Sequence, residues 1–189
     1  MDANHTSAQK SIGILVGSLR KDSYGKVVAQ HLIGLLQDQL DVRIIDLSAL
    51  SFYNQDLDNA TDMPDSWKVL RREAQDVDAF IFITAEYNRS VMPVLKNALD
   101  IASLPQSESG WNGKPGAIIS LSPGRLGGFG AYHHLRQTIS YLNVYLMNQP
   151  EMYLSNIAGS ISEGAISDEG VQRHLQKFAS AYTEWINRF

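Results

Sequence analysis

The sequence contains no cysteine. Disulfides, thiol catalysis and thiolate metal sites are therefore excluded together, although no compartment follows from that. No apolar run comes near the roughly 20 residues that a membrane-spanning helix requires. The polar stretch Met1–Lys10 lacks the apolar core of a secretory signal. Nor is there a stripe of Lys and Arg. The 16 basic and 20 acidic residues leave a formal net charge of −4, which argues against extended nucleic-acid binding and against an anionic membrane surface as partner. No repeat, low-complexity tract or linker divides the chain. The expectation is a soluble cytoplasmic protein with a loose tail over residues 1–10 and one domain over 11–189. At 189 residues, 44% of them apolar, about two-thirds of the unfolded surface can be buried.

What is present alternates between two periodicities. Short apolar runs at Ser11–Val16, Asp41–Asp46, Ala79–Ile83, Pro115–Ser122 and Val144–Met147 read as strands. Between them lie helical spacings. Val28, Leu32, Leu35, Leu36 and Leu40 define one helix, and Asp65 or Ser66 is placed to cap a second that ends near Gln75. A third runs over Val94–Ala102, and Leu135, Ile139 and Leu142 mark a fourth. A final helix from about Asp168 sets Val171, Leu175, Phe178, Tyr182 and Trp185 on one stripe. Ser48–Pro64 reads as a long surface loop and Leu104–Lys114 as a polar connection. Such alternation predicts an α/β fold, a three-layer sandwich around a five-stranded parallel sheet in the flavodoxin-like order 2-1-3-4-5. In that order strands one and three are neighbours whose chains leave in opposite directions, which opens a crevice at their carboxyl ends.

Three loops border that edge. Gly17–Gly25 offers the hydroxyls of Ser18 and Ser23, the charge of Arg20 and the start of a helix, a combination suited to a terminal phosphate. It carries neither a Gly-Lys-Ser/Thr P-loop nor Gly-x-Gly-x-x-Gly, so nucleotide hydrolysis and dinucleotide binding fit poorly. Thr84–Ser90 places Glu86, Tyr87 and Asn88 where a buried strand leaves the sheet. Pro123–Gly130 supplies Gly124, Gly127, Gly128 and Gly130 beside Ser122, and glycine backbone can lie close to a flat ligand. Each loop alone is compatible with an ordinary capped turn. Together they describe a phosphate at one end and a planar ring at the other, the shape of flavin mononucleotide (FMN).

Gly-Ser-Leu-Arg-x-x-Ser-Tyr after strand one resembles the start of the NAD(P)H-dependent FMN reductase family. So do Glu86-Tyr87-Asn88-Arg89-Ser90 with Leu95-Lys96-Asn97-Ala98-Leu99-Asp100, and the third block from Gly113-Lys114-Pro115 through Ser122-Pro123-Gly124 to His134-Leu135-Arg136-Gln137. The resemblance spans about Ile12 to Glu151. It implies FMN as cofactor, NADPH or NADH as hydride donor, and a quinone, azo dye, metal oxyanion or free flavin as small-molecule acceptor. It further implies that Ser18, Arg20, Ser23 and Tyr24 hold the phosphate and ribityl chain. Gly25 belongs to the same region, Glu86, Tyr87 and Asn88 to the ring, and Ser122, Gly124 and Gly127 to its other edge. Arg89 and Arg125 are candidates for nucleotide phosphates, no catalytic acid or base is implied, and a homodimer or homotetramer is expected. The chain departs from the family pattern at Gly25 (usually Asn), Ala85 (Pro), Met92-Pro93 (Pro-Gly) and Ile101 (Trp). An electron carrier of the same fold would be more acidic, and a flavin-binding relative with a degenerate site remains an alternative. A receiver domain would need clustered acids where strand one ends Val16-Gly17-Ser18. His133 and His134 are adjacent and cannot share a helix face to bind metal. Asp46 imitates a ribose-binding acid but lacks the glycine fingerprint.

Overall fold

The computed structural model describes residues 9–189. The tail expected over 1–10 falls, through residue 8, outside the described residues. Lys10 lies within them, and its Nζ donates to the carbonyl of Ile186 at 3.0 Å. The sheet consists of β1 (Ser11–Val16), β2 (Asp41–Ile45), β3 (Ala79–Thr84), β4 (Pro115–Leu121), β5 (Tyr145–Leu146) and β6 (Met152–Leu154). Its order is β2-β1-β3-β4-β5, with every pairing parallel. The helices are α1 (Tyr24–Leu36), α2 (Asp65–Asp76), α3 (Pro93–Ile101), α4 (Phe129–Tyr141) and α5 (Glu169–Ile186).

Side-chain alternation along the strands divides the core into two. Ile12, Ile14, Ile81, Ile83 and Ile119 face α1 and α5, whereas Leu15, Phe80, Phe82 and Ile118 face α2, α3 and α4. β3 and β4 are buried along their whole length, as strands covered on both faces must be. The expected stripe on α5 is real: Leu175, Phe178 and Tyr182 are fully buried, each worth about 2 kcal/mol of apolar burial. The Tyr182 hydroxyl reaches through to the sheet, donating to Phe80 O at 3.1 Å.

Several local expectations are corrected. The fifth position beside β4 is shared by two pieces, β5 against Pro115 and Gly116 and β6 against Ile119–Leu121. The pattern at Val144–Met147 accounts for the first piece alone. Neither Asp65 nor Ser66 caps α2. Pro64 occupies the N-cap position, and Asp65 sits in the first turn, bridged to Lys68 at 3.0 Å. Leu40 is buried but lies past the end of α1. The Leu104–Lys114 connection is less polar than its composition: Trp111 is fully buried there, stacked edge-on against Phe80, with Nε1 donating to Leu99 O at 2.9 Å. A small hairpin, β7 (Ile161–Ser162) and β8 (Ala165–Ile166), turns at Glu163 and Gly164, both at positive φ.

Candidate active site

β1 and β3 run in register, Ile12 opposite Ala79 through Val16 opposite Ile83, so both end at one level. From there α1 departs toward one face of the sheet and α3 toward the other. The space between is a slot of about 220 Å³ floored by Val16, Ile83 and Leu121, the terminal apolar residues of three strands.

One end of the slot carries donors. Ser23 is the N-cap of α1, its Oγ accepting from Lys26 N at 3.4 Å, which leaves the hydroxyl proton to donate. The first-turn N–H groups of Tyr24 and Gly25 have no partner within the helix. Ser18 lies across the loop, and the Arg20 guanidinium rests over the Tyr24 ring, 5.5 Å from its centre. A helix N-terminus, hydroxyls and one guanidinium form a donor set matched to a phosphate dianion. Gly25 belongs to the helix rather than the loop. A Cβ there would lie 3.0 Å from Val16 Cγ1, so this residue keeps the slot floor open.

The second loop is a tight hairpin. Tyr87 and Ser90 exchange backbone hydrogen bonds of 3.1 and 2.9 Å, and the two residues between them, Asn88 and Arg89, are both at positive φ, the I′ pattern. Neither Asn88 nor Ser90, the two residues placed to cap the following helix in an ordinary capped turn, does so. α3 has Met92 at its N-cap without a side-chain bond. Glu86, 12% exposed at its side chain, accepts from Ala131 N in the first turn of α4 at 3.0 Å and pairs with Arg89 at 2.9 Å. Ser90 Oγ meets His134 Nδ1 at 2.9 Å. This loop is thereby fastened to α4 at two points.

The third loop is held from behind by a segment that the sequence did not reveal. Ser122 N donates to Leu154 O, Asn156 N to Gly124 O, and Ser155 Oγ to Arg125 O. Gly127 and Gly128 have positive φ. The close approach that Gly127 permits is to β6, since a Cβ would lie 2.9 Å from the Tyr153 carbonyl carbon.

Of the anticipated residues, Ser18, Arg20, Ser23, Tyr24, Gly25, Glu86, Tyr87 and Ser122 line the slot. Asn88, Arg89, Gly124 and Gly127 do not: the first two form the hairpin tip, Gly124 is on the exposed crest and Gly127 is buried under Tyr153. Arg125 lies on the same exposed crest, and Arg89 already has Glu86 as its partner. Asp46 closes a local turn, accepting from Ser48 N and Oγ at 2.9 Å each; the backbone bond leads in holding its carboxyl below the usual range. The floor residues Val16, Ile83 and Leu121, with Met92 and Pro123, were not anticipated. The first three could have been found by taking the last inward-facing residue of each central strand.

An apolar floor, a phosphate-binding end and two facing loops define a flavodoxin-like nucleotide site, and the donor set fits FMN. The family model described as NADPH-dependent FMN reductase matches residues 11–159, and the chain belongs to that family. It is 40% identical over 176 residues to a quinone reductase of Pseudomonas putida, covering 93% of this chain and 94% of that protein. It is 42% identical over 176 residues to a 2-hydroxy-1,4-benzoquinone reductase of a Burkholderia species, covering 93% and 95%. The solved structure of the flavoenzyme NAD(P)H:(acceptor) oxidoreductase FerB from Paracoccus denitrificans superposes with a TM-score of 0.87 at 34% identity, covering 95% of this chain and 98% of that one.

Proposed function

We propose that the chain is an FMN-dependent NAD(P)H oxidoreductase that delivers two electrons to a quinone. The observation that carries this reading is the slot itself: donors for one phosphate at the start of α1, an apolar floor, and no charged side chain on that floor. Ser18, Arg20, Ser23 and the first-turn N–H groups of α1 hold the phosphate. Glu86 and Tyr87 from one side and Ser122 from the other flank the ring, with Asn88, Arg89, Gly124 and Gly127 shaping those loops rather than touching it. FMN, when bound, supplies the hydride-accepting and electron-donating chemistry. The nicotinamide gives up a hydride, the quinone gains two electrons and two protons, and the second proton comes from water. The protein orients the two reactants in turn over the same ring and needs no side chain as acid or base.

A homodimer or homotetramer is part of this reading. Leu126, Phe129 and Tyr141, on and beside α4, are exposed, and a second copy would cover such a face. Light scattering should return a mass of at least two chains at micromolar concentration. The decisive assay is turnover. Purified protein saturated with FMN should oxidise NADH or NADPH when 1,4-benzoquinone is present. Failure with both nucleotides would refute the assignment.

A further inference from the structure

Beside the slot lies a second hollow of about 390 Å³, bounded by the first loop, residues 50–52 after β2 and the start of α3. Arg20, Tyr87 and Met92 border both spaces, so a molecule stacked in the slot can extend into the hollow over their side chains. The remaining wall is apolar: Leu19, Leu50, Phe52, Pro93 and Val94. Asn97 also lines it, and both ends of its amide are bonded within the chain. Its Oδ1 accepts from Tyr53 N at 2.8 Å and its Nδ2 donates to Ser51 O at 2.9 Å.

Those two bonds grip the backbone on either side of Phe52. The grip is reinforced by Trp67, which donates from Nε1 to Ser51 Oγ at 3.1 Å and stacks on Tyr53 at 5.4 Å. Phe52 is nevertheless 76% exposed. A phenyl ring on mobile chain would fold down onto the surface. Here buried Asn97 and Trp67 fix the backbone, and the ring stands at the mouth of an apolar hollow.

We propose that this hollow receives the apolar substituent of the acceptor quinone, with Phe52 as a specificity-determining residue and Asn97 as the positioning residue that holds it. The inference rests on the reductase reading above and names its substrate class: quinones bearing an alkyl or prenyl chain, rather than small or strongly polar acceptors. The electron and proton balance is that of any quinone, and no bond of the substituent changes. Its volume falls within the usual range for small-ligand pockets, about 300–1,000 Å³.

The test compares FMN-loaded wild type with Phe52→Ala, Asn97→Ala and Leu19→Ala, using decyl-substituted benzoquinone, unsubstituted 1,4-benzoquinone and ferricyanide as acceptors. Wild type should show a KM at least fivefold lower for the decyl quinone than for benzoquinone. Phe52→Ala should raise the decyl-quinone KM about tenfold with kcat little changed, and leave turnover with the other two acceptors within twofold. Asn97→Ala should give a smaller shift in the same KM. Leu19→Ala, on the facing wall, should reproduce the Phe52 effect if Phe52→Ala proves too unstable to purify with FMN. Equal KM values for the two quinones in wild type would overturn the proposal, as would a Phe52 effect shared by all three acceptors. A Phe52→Ala protein of reduced mass in sedimentation would also overturn it, because the hollow would then be covered by a second copy. Loss of the reductase reading is read separately, as absence of wild-type turnover with benzoquinone and ferricyanide, and it removes this proposal with it.

Discussion

A methyl group added at Gly130 would lie 2.9 Å from Oε2 of Glu86, too close for the carboxylate to keep its bond to Ala131 N. Gly130→Ala should therefore displace Glu86 from the α4 N-terminus and free Arg89. A lost helix cap costs about 1 kcal/mol, and alanine in place of glycine inside α4 returns a similar amount. Urea unfolding should therefore change little, whereas FMN titration should show weaker binding because the second loop has lost its anchor. The family motif marks Glu86 in the sequence. Its partner, 45 residues onward, is not marked, because a single chain carries no sign of which distant N–H a carboxylate will find. Arg71 and Asp58 present a second such pair. They meet through two bonds of 2.8 and 2.9 Å with side chains only 12% and 14% exposed. Those bonds hold the Asp58 carboxyl below its usual range, against the opposing effect of burial. A depressed folded-state pKa adds stability that is complete above the unfolded value, about 4, and is lost as pH falls from there through the lower folded value. Asp58→Asn should cost about 2 kcal/mol at neutral pH. Its stability should also fall less than that of wild type between roughly pH 5 and pH 3, as chemical denaturation across that range would reveal.

At the level of elements, much was legible because apolar periodicity is a local property. The sheet order, the crevice between β1 and β3 and the three loops around it all follow from where short apolar runs alternate with helical stripes. The features without a local signature depend on tertiary pairing. β6 has only Met152–Leu154 to recommend it, and three residues carry no recognisable period. The Asn88–Arg89 turn was hidden because arginine is an unusual occupant of a positive-φ site. The sequence suggests that the glycines of the third loop make room for a ligand, whereas Gly127 makes room for β6. That distinction is testable. Gly127→Ala combines a left-handed φ of 58° with a contact of 2.9 Å to backbone carbon, and left-handed geometry alone costs about 1–2 kcal/mol for a residue with a Cβ. The melting temperature should fall, and FMN affinity should fall with it, because Ser122 and Pro123 ride on the same loop. An unchanged melting temperature would mean that β6 and the loop can separate without cost.

For the whole molecule, the site and the fold are stabilised by the same geometry, since the slot is made from strand ends and helix starts that the packed sheet holds in place. Any ligand that binds only the folded chain adds RT ln(1 + [L]/Kd) to its stability, about 2.7 kcal/mol at 100 times Kd. For a chain of this length each kcal/mol moves the melting temperature by about 2–4 °C. Saturating FMN should therefore raise it by about 5–10 °C, whereas riboflavin, which lacks the phosphate, should raise it far less. Removing the guanidinium in Arg20→Ala deletes a charge-assisted contact worth about 1.5–3 kcal/mol, at least a tenfold loss of affinity. At the same FMN concentration the thermal shift should then shrink to about half or less, with the melting temperature of the FMN-free protein unchanged, because Arg20 is exposed and its ring contact with Tyr24 is a surface one. A full FMN shift in that variant would place the phosphate elsewhere than at the start of α1, and the assignment of the slot would have to be redrawn from that end.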